Sequence, residues 1–389
     1  MLENHKEYKH ELSIVLPCLN EAETVGNCVK NAQKFIDIYN IDGEVIIADN
    51  GSTDNSARLS EENGAKVVFV KDKGYGNALM GGINSASGKF IIMGDSDGSH
   101  DLENLFPFIE KLRIGYELVV GNRFKGGIQQ GAMSVLNRYF GNPILSGIGR
   151  IFFKSKVRDF HCGLRGFSKE AFEKMDLRTT GMEFASEMIV KATLFNLKIT
   201  EVPTKMLPSG RTRAPHLKPF HDGWRHLRFL LLYSPRWLFL YPGLFLMLFG
   251  FLLGIWLLPG SKLSLDVHTM LYASAGIIIG LHAVSFAVLT KTFAVQEKLL
   301  PSHVKLSTLM KFATLENGLV IGGILILSGI ALTVYAVLLA GEGGFQTSNI
   351  NQTMRIIIPS ITLLTIGFQI IFSSFFYSIL RLKTRSTND

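Results

Sequence analysis

Cysteine is scarce in this 389-residue chain: Cys18, Cys28 and Cys162 are the only three, and no CxxC pair occurs. An odd, dispersed set excludes a disulfide framework and a structural zinc site, and it fits a reducing compartment. No apolar run occurs in the first ten residues, Met1 to His10, so no secretory leader is expected there. Charge is also sparse. Only 19% of residues are charged against 47% hydrophobic, which allows one sizeable soluble domain plus a membrane region. The sparseness is concentrated in four stretches, at about 237–258, 267–290, 316–340 and 356–380, which hold no lysine, arginine or aspartate and a single boundary acid, Glu316. Each is long enough to cross a hydrocarbon layer of roughly 30 Å at about 1.5 Å per residue, and four in succession argue against buried soluble helices.

Other absences narrow the chemistry. The glycine-rich Lys73-Gly74-Tyr75-Gly76-Asn77-Ala78 has Leu79 where a dinucleotide fingerprint needs its third glycine, so a flexible loop approaching a donor is the better reading. Asp95-Ser96-Asp97-Gly98 places its glycine too early for an EF-hand, and no glutamate closes a twelve-residue loop. His282, inside an apolar span, has no ligand spacing around it and is expected to be packed rather than metal-bound.

The positive charge is unevenly placed. Residues 1–204 carry 24 Lys/Arg and 26 Asp/Glu, whereas 205–236 carry seven Lys/Arg and one Asp. This basic stretch lies directly before the first apolar span and suits anionic headgroups at about 1 kcal/mol per basic residue. Nucleic acid is not expected as a partner, because no zinc-finger spacing or stacking platform accompanies it. Within it, Lys218–Arg236 mixes Phe220, Trp224, Leu227 and Phe229 with Arg225, His226 and Arg228, the pattern of an amphipathic juxtamembrane helix, with an ordinary packed helix as the alternative. Lys291, Lys298, Lys305 and Lys311 in one loop, with Arg381, Lys383 and Arg385 in the tail, outnumber Lys262 and Arg355 in the opposite loops. The excess of cations on one side predicts a cytoplasmic catalytic domain and cytoplasmic termini. Gly250-xxx-Gly254, Gly276-xxx-Gly280 and Gly318-xxx-Gly322 would let helices approach closely, within one chain or between copies in a homo-oligomer.

From Leu12 to Val202 short apolar runs alternate with helical patterns. Ser13–Leu16, Val45–Ala48, Lys66–Val70, Phe90–Met93 and Leu118–Val120 read as strands, and Glu21–Ile38, Asn55–Asn63, Gly76–Ala86 and Leu102–Leu112 read as helices. The pattern predicts an α/β domain with a mainly parallel sheet, whose ligands sit beyond the carboxyl ends of the strands. The polar clusters fall at those ends. Asp95 and Asp97 follow one strand and can hold one hard divalent cation on a diphosphate. Asp49, at another strand end, can accept hydrogen bonds from a base or ribose, while Asn50-Gly51 turns the chain and Asp54 caps the next helix.

Leu16-Pro17-Cys18-Leu19-Asn20-Glu21, Asp49-Asn50-Gly51-Ser52-Thr53-Asp54, Lys73-Gly74-Tyr75-Gly76, Asp95-Ser96-Asp97 and Gly121-Asn122-Arg123-Phe124, in that order, resemble a family-2 glycosyltransferase of the GT-A fold. The similarity extends over roughly residues 12–236 and is to polyprenyl-phosphate glycosyltransferases such as dolichyl-phosphate mannose synthases. It implies a GT-A domain over 1–217, the amphipathic segment 218–236, and an all-α four-helix transmembrane domain over 237–389. It also implies that Pro17, Asn20, Glu21, Asp49, Lys73, Gly74 and Asp95 contact a nucleotide-sugar donor, and that Asp95 and Asp97 position Mg²⁺ or Mn²⁺. Some relatives use a glutamine two positions after the second aspartate, where this chain has Ser99; Ser99, Asp101 or water is left to complete the coordination. By the same resemblance Arg123 and Arg138 bind the phosphate of a polyprenyl acceptor, undecaprenyl or dolichyl, and Arg211 or Arg213 closes over the phosphates; guanidinium suits paired bonds to phosphate oxygens. Asp159, Glu183 and Glu187 either face the sugar or serve as structural ion-pair partners. The expected activity is inverting transfer of one sugar from a UDP- or GDP-sugar at the cytoplasmic face of a cytoplasmic or inner membrane. The alternatives are a processive polysaccharide synthase, whose Gln/Arg-x-x-Arg-Trp signature is only partly met because Tyr233 precedes Arg236-Trp237, and a catalytically inactive scaffold or lipid carrier.

Overall fold

The computed structural model describes residues 7–213, 219–259, 266–297, 299–301, 314–342 and 350–382. Lys262, Lys298, Lys305, Lys311, Lys383 and Arg385, used above to orient the chain, and Lys218 at the start of the amphipathic segment lie outside the described residues. Two compact units emerge, Met1–Leu230 and Leu231–Asp389.

The first unit is built on a seven-stranded sheet of β1 (His10–Cys18), β2 (Gly43–Asp49), β3 (Lys66–Phe69), β4 (Gly88–Met93), β5 (Leu118–Asn122), β6 (Arg165–Ser168) and β7 (Ile199–Pro203), in the order β3-β2-β1-β4-β6-β5-β7. Only β6 runs antiparallel to its neighbours. Strands covered on both faces need apolar side chains throughout, which accounts for Ile14-Val15-Leu16, Val45-Ile46-Ile47 and Ile91-Ile92-Met93, all buried. The crossovers are α1 (Val25–Ile38), α2 (Ser56–Glu62), α3 (Tyr75–Asn84) and α4 (Phe106–Arg113). Helix α1 shows how the pattern works: Val25, Cys28, Val29, Ala32, Phe35 and Ile36 recur at helical spacing and all are buried. The chain leaves β1 toward β2 on one side and reaches β4 on the other, so the sheet has its topological switch point between β1 and β4, where open α/β sheets bind ligands.

The rest of this unit comprises α5 (Arg123–Gly126), a π turn at Asn137–Gly141 leading into α6 (Asn142–Phe153), α7 (Lys169–Met175), α8 (Phe184–Leu194) and α9 (Pro219–Leu232). Helix α9 buries Asp222, His226, Phe229 and Leu230 within the unit, and Trp224 and Leu232 stay exposed. Its inner face is therefore that of a packed helix. A second amphipathic surface, which the sequence analysis did not single out, lies around α6. Val135, Leu136, Tyr139, Phe140, Ile144 and Ile151 are all exposed there.

The second unit holds α10 (Tyr241–Leu257), preceded by a π turn at Arg236–Leu240, then α11 (Asp266–Gln296), α12 (Leu315–Glu342) and α13 (Ile350–Leu380). Among the described residues four helices are long and apolar enough to cross a membrane: Arg236–Leu257, Val267–Gln296, Leu315–Gly341 and Asn351–Leu380. The glycine pairs serve packing within the chain. A Cβ at Gly280 would lie 2.6 Å from the Gly243 carbonyl oxygen, and one at Gly250 would crowd Ala273 and Ile277 of α11. Gly322 faces Ile371 and Gly367 in the same way, whereas Gly254 has open space around it. His282 rests on the Phe286 ring, centroids 5.0 Å apart.

Candidate active site

Loops at the carboxyl ends of β1, β2 and β4 converge on the switch point. After β1, Asn20 adopts a left-handed conformation (φ 57°). Its side-chain oxygen accepts from Thr53 N–H at 2.7 Å, and its own N–H donates to Ser52 Oγ at 2.9 Å. Asn20 thus clasps the loops after β1 and β2 together. Pro17 closes β1, where its carbonyl accepts from Ser96 Oγ at 2.7 Å. Asp49 is buried and accepts from the backbone N–H groups of Gly51 and Ser52, an Asx turn that shapes its own loop.

The Lys73–Gly76 loop, expected to be flexible, is tied on both sides. Lys73 Nζ donates to Asn50 O at 2.7 Å, and Gly74 N–H donates to Asn50 Oδ1 at 2.8 Å. On the other side, Gly76 N–H donates to Thr180 O at 2.9 Å. Gly74 has φ +135°, and a Cβ at either Gly74 or Gly76 would run into the Thr179–Thr180 backbone. These glycines therefore admit a neighbouring chain segment, one held by Glu187, whose carboxylate accepts from Arg178 N–H, Thr179 N–H and Thr179 Oγ1. Glu187 is fully buried with Lys191, Nζ to Oε1 2.9 Å, and Glu183 accepts from Arg225 at 3.0 Å. Both glutamates are ion-paired in this structure.

The anchored loop delivers Tyr75 to Asp95, Oη to Oδ1 2.9 Å, while His100 Nε2 lies 3.1 Å from Oδ2. Burial works against the Asp95 charge, but bonds from His100 and Tyr75 outweigh it and hold the carboxyl below its usual range. The Tyr75 hydroxyl is pushed well above its ordinary pKa, by burial first and then by the Asp95 charge. Neither partner was identified from sequence; the Tyr75 hydroxyl was hidden inside a loop read for its glycines. Asp97 Oδ1 accepts Ser99 N–H at 2.9 Å, so Ser99 acts on it through the backbone. Asp101 accepts from Asn104.

A strap from Thr204 to Arg213 crosses these loops. Leu207 N–H donates to Ser99 O and Gly210 N–H to Asp97 O. The strap sets Arg211 between two carboxylates, 2.8 Å from Glu21 and 3.0 Å from Asp97, with Arg213 2.6 Å from Glu21. The Arg211 Nε is buried without a hydrogen-bond partner.

Arg123 and Asp159 form a separate, enclosed pair. Asp159 is 0% exposed and accepts from Arg123 N–H, Nε (2.8 Å) and Nη2 (2.7 Å). Burial opposes the Arg123 charge, and the Asp159 carboxylate overcomes it, raising the guanidinium pKa. Asp159 is thus paired with Arg123 in this structure. Arg138 lies on the π turn, with its guanidinium 5.5 Å from the Tyr139 ring, beside the exposed apolar side chains of the turn and α6.

Among the described residues no group of three His, Cys, Asp or Glu could ligate a metal. Asp95 and Asp97 are hard carboxylates, about a third and about an eighth exposed, of the donor type that divalent cations favour.

The first unit matches the model for glycosyl transferase family 2 over residues 13–176, and the second matches the glycosyltransferase family 2 C-terminal transmembrane region over 288–381. The chain is 33% identical over 371 residues to the low-salt glycan biosynthesis hexosyltransferase Agl6 of Haloferax volcanii, covering 94% of this chain and 87% of that protein. It is 25% identical to a dolichyl-phosphate hexose transferase of the same organism, over 55% of this chain and 89% of the relative. To a dolichol-phosphate mannosyltransferase of Pyrococcus furiosus it is 27% identical, over 50% of this chain and 55% of the relative. With a mostly parallel sheet carrying its acidic loops at the switch point, and four apolar helices following in the sequence, the chain belongs to glycosyltransferase family 2 as an integral membrane glycosyltransferase.

Proposed function

We propose that the enzyme transfers a single hexose from a UDP- or GDP-sugar to a polyprenyl phosphate, with inversion at the anomeric carbon, at the cytoplasmic membrane face. The observation that carries this reading is that Arg211 joins Glu21 to Asp97, two residues from the Tyr75-bound Asp95, in a chain with four membrane-length helices among its described residues. The names of its relatives, a dolichyl-phosphate hexose transferase among them, support the lipid acceptor. The exposed apolar side chains around Arg138 support acceptor approach from a bilayer.

Asp95 and Asp97 would hold Mg²⁺ or Mn²⁺, which when bound neutralises charge on the leaving nucleotide diphosphate. The protein residues do the rest. Tyr75 and His100 fix the direction of the Asp95 carboxylate. Arg211 and Arg213, now paired with acids, can exchange those carboxylates for donor phosphates through charge-assisted bonds. Arg123 is held by Asp159, so its role is to shape the loop after β5 and lend positive charge, while Arg138 is free to meet the acceptor phosphate. A phosphate monoester has its second pKa near 6, so the acceptor is largely ionised at neutral pH and needs no strong base. Alignment of the two reactants is what the site must supply.

Purified full-length protein incubated with UDP- and GDP-sugars, dolichyl or undecaprenyl phosphate and Mn²⁺ should yield one sugar per lipid by mass spectrometry. Asp95→Ala should abolish metal-dependent transfer and stay folded. Full activity in that variant, or an elongating water-soluble polymer as product, would reject the proposal.

A further inference from the structure

The second unit contains a buried cation with no acceptor. Lys291 lies on α11 within the span Val267–Gln296 and is 7% exposed. Its Nζ is buried and, among the described residues, has no hydrogen-bond partner. A lysine near a helix end ordinarily carries its ammonium along its own stem to water or headgroups, but here the group is turned into the protein. Arg236, on the π turn that opens the first span, is of the same sign, and that turn packs on this part of α11 through Phe239, whose ring centroid lies 6.0 Å from that of Phe286. Glu297, the next acid along the chain, is exposed. A buried ammonium without an acceptor, with a second cation on the packed turn, is unfavourable unless an anion joins them.

The level of the site points to the anion. Trp237 and Tyr241, beside Arg236, stand edge to face with centroids 5.0 Å apart, and such rings mark the headgroup layer. Gln296 donates to Leu380 O, which registers the end of α11 with the end of α13. Lys291 and Tyr377, five and three residues before those positions, therefore lie within about one helical turn of the same depth. The Tyr377 hydroxyl is likewise buried without a partner, and the Arg381 guanidinium lies 5.5 Å from its ring. Unmet donors and cations collect at one end of the bundle.

We propose that Lys291 and Arg236 form a binding site for the phosphate headgroup of an anionic lipid. Phosphate supplies several charged oxygens for two cations, and a lipid presents it at the depth of the aromatic rings. This site is separate from the one around Asp95, and binding alone reads it.

Full-length protein in detergent would be titrated with dioleoylphosphatidic acid, dioleoylphosphatidylcholine and inorganic phosphate, with native mass spectrometry for occupancy and thermal melting for protection. Phosphatidic acid should bind at least tenfold tighter than phosphatidylcholine and raise the melting temperature. Lys291→Gln should lose at least tenfold in affinity, and Lys291→Arg should keep it. If Lys291→Gln does not fold, Arg236→Gln carries the test with the same expected loss. Wild-type affinity in the neutral variant, equal binding of phosphatidylcholine, or equal protection by inorganic phosphate would each overturn the proposal. Sugar transfer is not part of the readout, so these results leave the reaction assigned above untouched.

Discussion

Replacing Asp159 by alanine tests whether that carboxylate supports the fold or the chemistry. It removes both guanidinium bonds that Arg123 makes to this carboxylate, at 2.8 and 2.7 Å, together with the bond from the Arg123 backbone N–H at 3.1 Å, and leaves a cation with 7% exposure uncompensated. Breaking a buried pair in this way costs about 3–5 kcal/mol, mostly the desolvation of the stranded charge. For a unit of some two hundred residues each kcal/mol corresponds to roughly 2–4 °C, so the melting temperature of the first unit should fall by about 10 °C. The assay is thermal unfolding of the full-length protein in detergent, with an Arg123→Met/Asp159→Leu double variant alongside. The double variant should recover most of the loss, because neither charge is then left buried. If Asp159→Ala melted within about 1 kcal/mol of wild type but lost transfer, Asp159 would be a reacting-site carboxylate and the structural assignment would be wrong.

Three further outcomes follow from the same geometry. Arg211→Ala frees Asp97 and Glu21 from a charge-assisted contact, so Mn²⁺ affinity without donor should rise roughly tenfold by calorimetry, while the transfer rate falls about a hundredfold; unchanged metal affinity would contradict the exchange of partners. Gly76→Ala should reduce transfer more than stability, since a Cβ meeting Thr179 O must displace the loop that carries Tyr75; kinetics beside melting would show it, and a wild-type rate would rule out this positioning role. His226 is held down to about 4, chiefly by burial, and packs against His161, also lowered, with ring centroids 4.5 Å apart. Because these histidines are neutral when folded, the unfolded chain binds more protons between pH 6.5 and about 4, and stability should fall as pH drops through that window. The His226 contribution is at most about 3 kcal/mol, and His226→Phe should shrink the difference in melting temperature between pH 7.5 and 5; an undiminished difference would contradict it.

The parts of the molecule legible in sequence were those governed by local pattern. Uncharged runs announced the four long helices, and β1 to β5 showed because strands buried on both faces must be continuously apolar. Strand β6 was missed because it begins with a charge. Arg165 is fully buried, yet its guanidinium donates to the carbonyls of Cys162, Phe160 and Ala185, a satisfaction that only the folded chain supplies. Glu187 and Lys191, four apart on α8, look like a solvated helix face but are wholly enclosed. The acidic motif at 95–97 could be located from sequence, whereas the roles of Tyr75, His100, Asp159 and the strap depend on partners distant along the chain or on backbone contacts.

The close approach of Gly243, Gly250 and Gly280 at the α10–α11 contact leaves no room for side chains between the two backbones. A pair joined so tightly has few ways to adapt when the surrounding bilayer is thinner or thicker than its apolar length. It must lean as one body, so lipid thickness should alter the inclination of both helices together rather than open a gap between them.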